Sequence, residues 1–167
     1  MIEISVTESP TVPELLRRMR SAFDAEKVTA DFYKKFLKQH DALVKAISGL
    51  DIEGDRKWYS ALLMNRLMFV YFMQRKGFMD NDRDYLRGRL AALRATSANG
   101  SGKLYEFYRD FLLPMFHAGL GAPGLQVNDP VIKGLIGDIP YINGGLFVVH
   151  ELEEAPHDIR IPDEVFE

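Results

Sequence analysis

The residues of this chain best equipped for chemistry are cations. Arg83, Arg87 and Arg94 fall at i, i+4 and i+11, a spacing that places them on one face of a helix. Lys103 follows across a glycine-rich stretch, Ser97 to Gly102, expected to be a flexible loop. A row of guanidinium groups beside such a loop can follow a phosphate backbone. An ordinary solvated helix face is the rival reading of the same pattern.

Other candidate motifs fail on context. Gly119-Leu120-Gly121-Ala122-Pro123-Gly124 has the spacing of a dinucleotide loop, but that loop needs a strand before it and free backbone N–H groups within it. Here a helix precedes it and Pro123 removes a donor, so a plain loop is expected. Gly100-Ser101-Gly102-Lys103 is like the end of a phosphate loop. Ser97 stands where the first glycine belongs, and Leu104 replaces the magnesium-binding hydroxyl. His150-Glu151-Leu152-Glu153-Glu154 starts like a zinc-protease helix but has Glu154 in place of the second histidine. With His157 it suggests an acidic solvated tail more than a metal site. Pro162-Asp163 could open a nuclease carboxylate motif, yet such a site needs a second acid and a lysine on a following strand, a context these residues do not supply. His40 and His117 have no partner visible in the sequence. No nucleophile–base–acid set is present, and no catalytic, cofactor-binding or metal residue is assigned.

The element that must carry these groups is Asp55 to Phe78, read as one long helix. From Trp58 to Met73 it is apolar on nearly every side, which means a membrane span or a core helix. Asn65 and Arg66 interrupt it, and the run Leu67 to Met73 is far short of the roughly 20 apolar residues of a span. A buried core helix of a soluble protein is therefore expected. A buried Arg66 must be paired, with an acid that spacing does not reveal. Asp55 can cap the start. Arg75 and Lys76 suit the end, and Gly77 with Phe78 fits a Schellman stop.

Around it the pattern predicts a short strand at Ile2 to Val6. A short helix opens at Thr11-Val12-Pro13-Glu14, and an amphipathic helix runs from about Glu26 to Ser48. Further helices are expected over Arg83 to Thr96 and from Lys103 towards Phe116, the latter kinked or ended by Pro114. Pro130 to Ile136 reads as a short helix. Ile139 to Val149 reads as extended chain around an Asn-Gly-Gly turn. Asp31 to Leu37 echoes Glu106 to Leu112, which two similarly packed helices or coincidence would explain. The fold class is mainly α: a single domain, residues 1–167, bundled around a buried central helix at about 55–77. A minor β or extended element is expected near 139–149.

The chain has 167 residues, 47% hydrophobic and 27% charged, enough for one domain with a core. It contains no cysteine, which excludes disulfides and thiolate chemistry. The N-terminus lacks a basic-then-apolar pattern, so no signal peptide is expected and the cytoplasm is the default. Residues 1–119 carry 19 Lys/Arg against 15 Asp/Glu, whereas residues 120–167 carry Lys133 and Arg160 against nine acids. Charge alone does not argue for nucleic acid.

Three stretches together bear a family likeness. They are Asp55-Arg56-Lys57-Trp58-Tyr59 through Asn65-Arg66-Leu67-Met68-Phe69 to Lys76-Gly77-Phe78; Phe107-Tyr108-Arg109-Asp110-Phe111-Leu112-Leu113; and Gly137-Asp138-Ile139-Pro140-Tyr141-Ile142-Asn143-Gly144-Gly145-Leu146-Phe147. Phe23 to Thr29 fits the same order. The chain resembles the helical region upstream of the methyltransferase domain in single-chain restriction-modification enzymes, type IIG-like and type I single-polypeptide, and in related phage-defence methyltransferases. The resemblance implies a parent that methylates adenine N6 in DNA with S-adenosylmethionine, with or without an endonuclease activity and magnesium. Its cofactor and Asn/Asp-Pro-Pro-Tyr motifs are absent here, so no catalytic residue carries over. What carries over is a role: a helical connector positioning the enzyme's parts on DNA. The expected partners are DNA and a methyltransferase domain of the same chain, reached through an acidic tail at 150–167, and no membrane. A stand-alone helical protein–protein interaction module is the rival class.

Overall fold

Among the residues described by the computed structural model (11, 13–14, 25–98, 105–154 and 156–167) every regular element is helical and none is a strand. The expected strand at Ile2 to Val6, most of the helix after Pro13, and Asn99 to Lys103 lie outside the described residues, whereas Ser97 and Ala98 of the expected loop are the end of a helix. Two compact units divide the chain, Met1–Gln39 and His40–Glu167. Helix α1 (Ala25–Ala46) starts in the first and ends in the second. Within the first unit Val28, Phe32, Tyr33 and Leu37 are exposed, and the rings of Phe32 and Phe36 lie 6.1 Å apart.

The second unit is organised on α2 (Glu53–Arg75), the expected central helix. Its start differs from expectation. Ile52 is the N-cap and no side chain caps it, while Glu53 and Asp55 lie in the first turn, where acids suit the helix dipole. Its stop is as the sequence suggested. Phe78 N–H donates to the Met73 carbonyl (3.0 Å) and Gly77 N–H to the Gln74 carbonyl (2.9 Å), the paired bonds of a Schellman motif. Gly77 has φ +80°, where a side chain would be strained. No described helix is long and apolar enough to cross a membrane.

Burial of α2 is one-sided, which corrects the all-round reading. Tyr59, Ser60, Leu63, Arg66, Val70 and Gln74 are buried. Trp58, Met68, Tyr71 and Phe72 are exposed. At 3.6 residues per turn these two sets occupy opposite arcs. Aromatic content alone made the helix look apolar all round. The core that this arc joins also takes in the end of α1 (Leu43, Ile47), α3 (Tyr85–Ala98) through Leu90 and Leu93, and α4 (Pro130–Ile136) through Ile132 and Ile136, with α3 packing on α2 and α4 on α3. Helix α4 is capped as its sequence demands: the Asp129 carboxylate accepts from Val131 N–H (2.9 Å) and Ile132 N–H (3.3 Å), with Pro130 opening the helix.

Pro114 neither ends nor breaks its helix. Phe107–Leu112 and Met115–Leu120 are π-helical, joined through Leu113 and Pro114. Leu113 N–H donates to the Tyr108 carbonyl and Gly121 N–H to that of Phe116. The wider turn suits a residue that has no N–H to give and whose ring clashes with the carbonyl four residues back. Phe107, Tyr108, Phe111, Leu112, Met115 and Phe116 are all buried. The echo with Asp31 to Leu37 therefore ends at sequence, because Phe32, Tyr33 and Leu37 are exposed on an α-helix.

The stretch from Ile139 to Val149 is extended in part but joins no ladder. It makes one short 3-10 turn, Gly145–Phe147. Arg66 and His117 take the carbonyls of Leu146, Phe147 and Val148, so those groups are not free for a hairpin. The bridge that does form joins Ser48 to Arg160. Residues 150–167 likewise depart from the expected solvated tail: Leu152, Ile159 and Ile161 are core residues.

Candidate functional site

Two polar centres emerge, one buried and one exposed. In the buried centre Arg66 and Glu153 meet at 2.5 Å with side chains 1% and 2% exposed. The other two guanidinium nitrogens are also engaged: Nε donates to the Leu146 carbonyl (2.7 Å) and Nη2 to that of Val148 (2.8 Å). The Arg66 guanidinium lies 5.4 Å from the Phe116 ring centroid. Glu153 accepts from Tyr59 O–H (2.6 Å) and from His150 N–H (2.8 Å). The one Tyr59 hydroxyl hydrogen is donated to Glu153, so Tyr108 O–H donates to the Tyr59 oxygen. His117 Nδ1–H donates to the Phe147 carbonyl (3.0 Å), which leaves Nε2 3.3 Å from Glu153 Oε2.

The electrostatics follow from that shell. Burial pushes the Glu153 carboxyl up, but His117, Arg66, Tyr59 and the His150 N–H together outweigh it and hold it down at about 2. Burial pushes both tyrosine hydroxyls well above their ordinary value. Arg66 Nη1, Tyr59 O–H and His150 N–H converge on one ionised carboxylate, which clamps the 146–153 loop to α2. This is a lock for the fold. It leaves no nucleophile beside an activated base, and no group of three or more metal-ligating residues occurs among the described residues. The ion pair expected for Arg66 is present. Its acid, 87 residues away, carried no sequence signal beyond the glutamate at the third turn position after His150, a capping box that the structure forms.

The exposed centre is the corner between α2 and α3. The predicted phosphate-contact row is divided there. Arg83 sits in the turn before α3 and Arg87 on its first turns, both exposed and with no partner acid among the described residues. Arg94 is engaged elsewhere, 2.6 Å from Glu167 and 3.9 Å from Asp163. The hydrogen bond to Glu167 raises its pKa further. Lys103 is outside the described residues. Sequence spacing thus found two accessible cations, while the acids neutralising Arg94 come from the far end of the chain.

The corner itself is rigidly built. Asp80 N–H donates to the Asp138 carbonyl (2.7 Å), and Asp138 N–H returns a bond to the Asp80 carboxylate (3.2 Å). The same carboxylate binds Arg89, whose guanidinium lies 4.7 Å from the Tyr85 ring centroid. Gly137, at φ +67°, lies so close that an added Cβ would come within 2.6 Å of Asp80 Oδ2.

These features define a helical domain with a buried charge lock and a cationic corner. Over 118 residues, 68% of its length, the chain is 34% identical to a protein of the archaeon Methanocaldococcus jannaschii that is provisionally named a type II restriction enzyme and methyltransferase. That similarity links it to restriction-modification proteins, although the match spans only 9% of that relative's length. No protein-family model matches the chain, and no solved structure matches it.

Proposed function

We propose that this chain is a non-catalytic helical connector of a restriction-modification enzyme, and that its Arg83–Arg87 edge rests on DNA backbone phosphates. The similarity to the archaeal restriction enzyme and methyltransferase carries the reading. Two accessible arginines without partner acids among the described residues support the phosphate contact. Methylation of adenine N6 with S-adenosylmethionine is, in this reading, the work of a methyltransferase domain of the same chain. This stretch contributes no catalytic residue to it. Phosphate contacts position without specifying sequence, so binding by the 167-residue protein should be weak and sequence-independent. It should fall roughly tenfold between 50 and 200 mM salt if two phosphates are neutralised. Fluorescence anisotropy on short duplexes measures this. Absence of binding at low salt, or binding by R83A/R87A equal to wild type, overturns the phosphate contact.

A second reading, a protein–protein interaction module, is favoured by one observation: the exposed arc of α2 with Trp58, Met68, Tyr71 and Phe72. Apolar patches of this kind mark interfaces.

A further inference from the structure

We infer that the α2–α3 corner contacts unpaired bases of nucleic acid through Phe78, with the surrounding cations holding the backbone; this rests on the phosphate reading of Arg83 and Arg87. Phe78 is 57% exposed, yet its neighbour Met79 is fully buried. The turn that displays it is pinned on both sides, by the Schellman bonds before it and by the Asp80–Asp138 pair after it. Asp80 and Asn81 both take positive φ, 52° and 54°. Such backbone strain persists only where the surroundings over-determine it. The result is an aromatic ring carried outward on a stiff pedestal, with little backbone freedom left to lose on binding.

Local charge, together with the exposed ring, favours one occupant. Between Arg75 and Arg89 the chain has five cations against three acids, within a protein of net charge −3. Two of those acids are engaged with Arg89: Asp80 binds it, and Asp82 lies 4.0 Å from it and accepts from Asp84 N–H (2.9 Å). Asp84 is the third, 3.9 Å from Arg75. Lys76, Arg83 and Arg87 are exposed around the same turn. An aromatic ring flanked by cations suits a nucleobase carried on a phosphate chain, since every base has a π-face. Phe72 is less suited, because Lys76 Nζ already lies 5.7 Å from its ring centroid.

The test compares a single strand, a matched duplex and a duplex with a central mismatch bubble, read by anisotropy at low salt. Wild type, F78A, F78W and R83A/R87A are compared, with far-UV circular dichroism checking the fold. F78A should weaken single-strand and bubble binding roughly five- to hundredfold, the worth of one stacked base, and leave matched-duplex binding unchanged. F78W should bind like wild type, and R83A/R87A should weaken all three. If F78A matches wild type on every substrate while R83A/R87A weakens them, base contact is overturned and the phosphate reading stands. An equal loss of F78A on all three substrates also overturns base contact. So does wild-type self-association abolished by F78A with DNA binding intact. No binding of any substrate by wild type removes both readings.

Discussion

Glu153→Leu should be the most damaging single change in the second unit. It removes the carboxylate at 2.5 Å from a guanidinium that is 1% exposed. Arg66 keeps the Leu146 and Val148 carbonyls but holds a full charge without a counter-ion. Breaking a buried pair from one side costs about 3–5 kcal/mol, whereas a whole domain is stable by only about 5–15 kcal/mol. At roughly 2–4 °C per kcal/mol for a chain this size, Tm should fall by about 6–20 °C. The double variant R66M/E153L removes both charges, so it should be clearly more stable than the sum of the single losses, by at least about 1 kcal/mol. Denaturant titration followed by the fluorescence of Trp58, the only tryptophan, supplies all four corners of the cycle. A single-variant cost below about 1 kcal/mol, or strict additivity, would refute the lock.

Two further outcomes follow from the same geometry. Glu153 has a folded pKa of about 2 against an ordinary 4.5. Its contribution is thus complete above about pH 4.5 and is lost as pH falls towards 2; in acid titration E153Q should show a shallower loss through that window, and a wild-type slope in E153Q contradicts it. Gly137→Ala should destabilise by about 1–3 kcal/mol, since it combines positive φ with a Cβ 2.6 Å from Asp80 Oδ2; an unchanged urea midpoint would show that the corner gives way freely.

Much of this arrangement is written locally, and the local parts were legible. The Gly77 stop, the short helix from Pro130 and the interior place of Arg66 each depend on residues within a few positions of one another. Features that depend on distant partners were not. Periodicity places Arg94 on a cationic face, but Glu167 and Asp163 cancel it from 73 and 69 residues away. Composition made α2 look buried all round, because hydrophobicity does not say which side of an aromatic helix has a neighbour. The acidic residues after His150 looked solvated because the alternation that buries Leu152, Ile159 and Ile161 is too short to stand out among carboxylates. Pro114 gave the right warning of a disturbed helix: the chain does not end there but widens into π-helical turns on either side.

The Arg66–Glu153 pair also has a meaning in time. A ribosome adding about 5–20 residues per second places Glu153 on the order of ten seconds after Arg66. Throughout that interval α2 carries a cation meant for the interior with nothing to neutralise it, so burying that face is unfavourable. The second unit should therefore close only once Glu153 has emerged, and nascent chains halted before His150 should remain open to proteases along α2. A charge that locks the finished fold thereby delays its premature collapse.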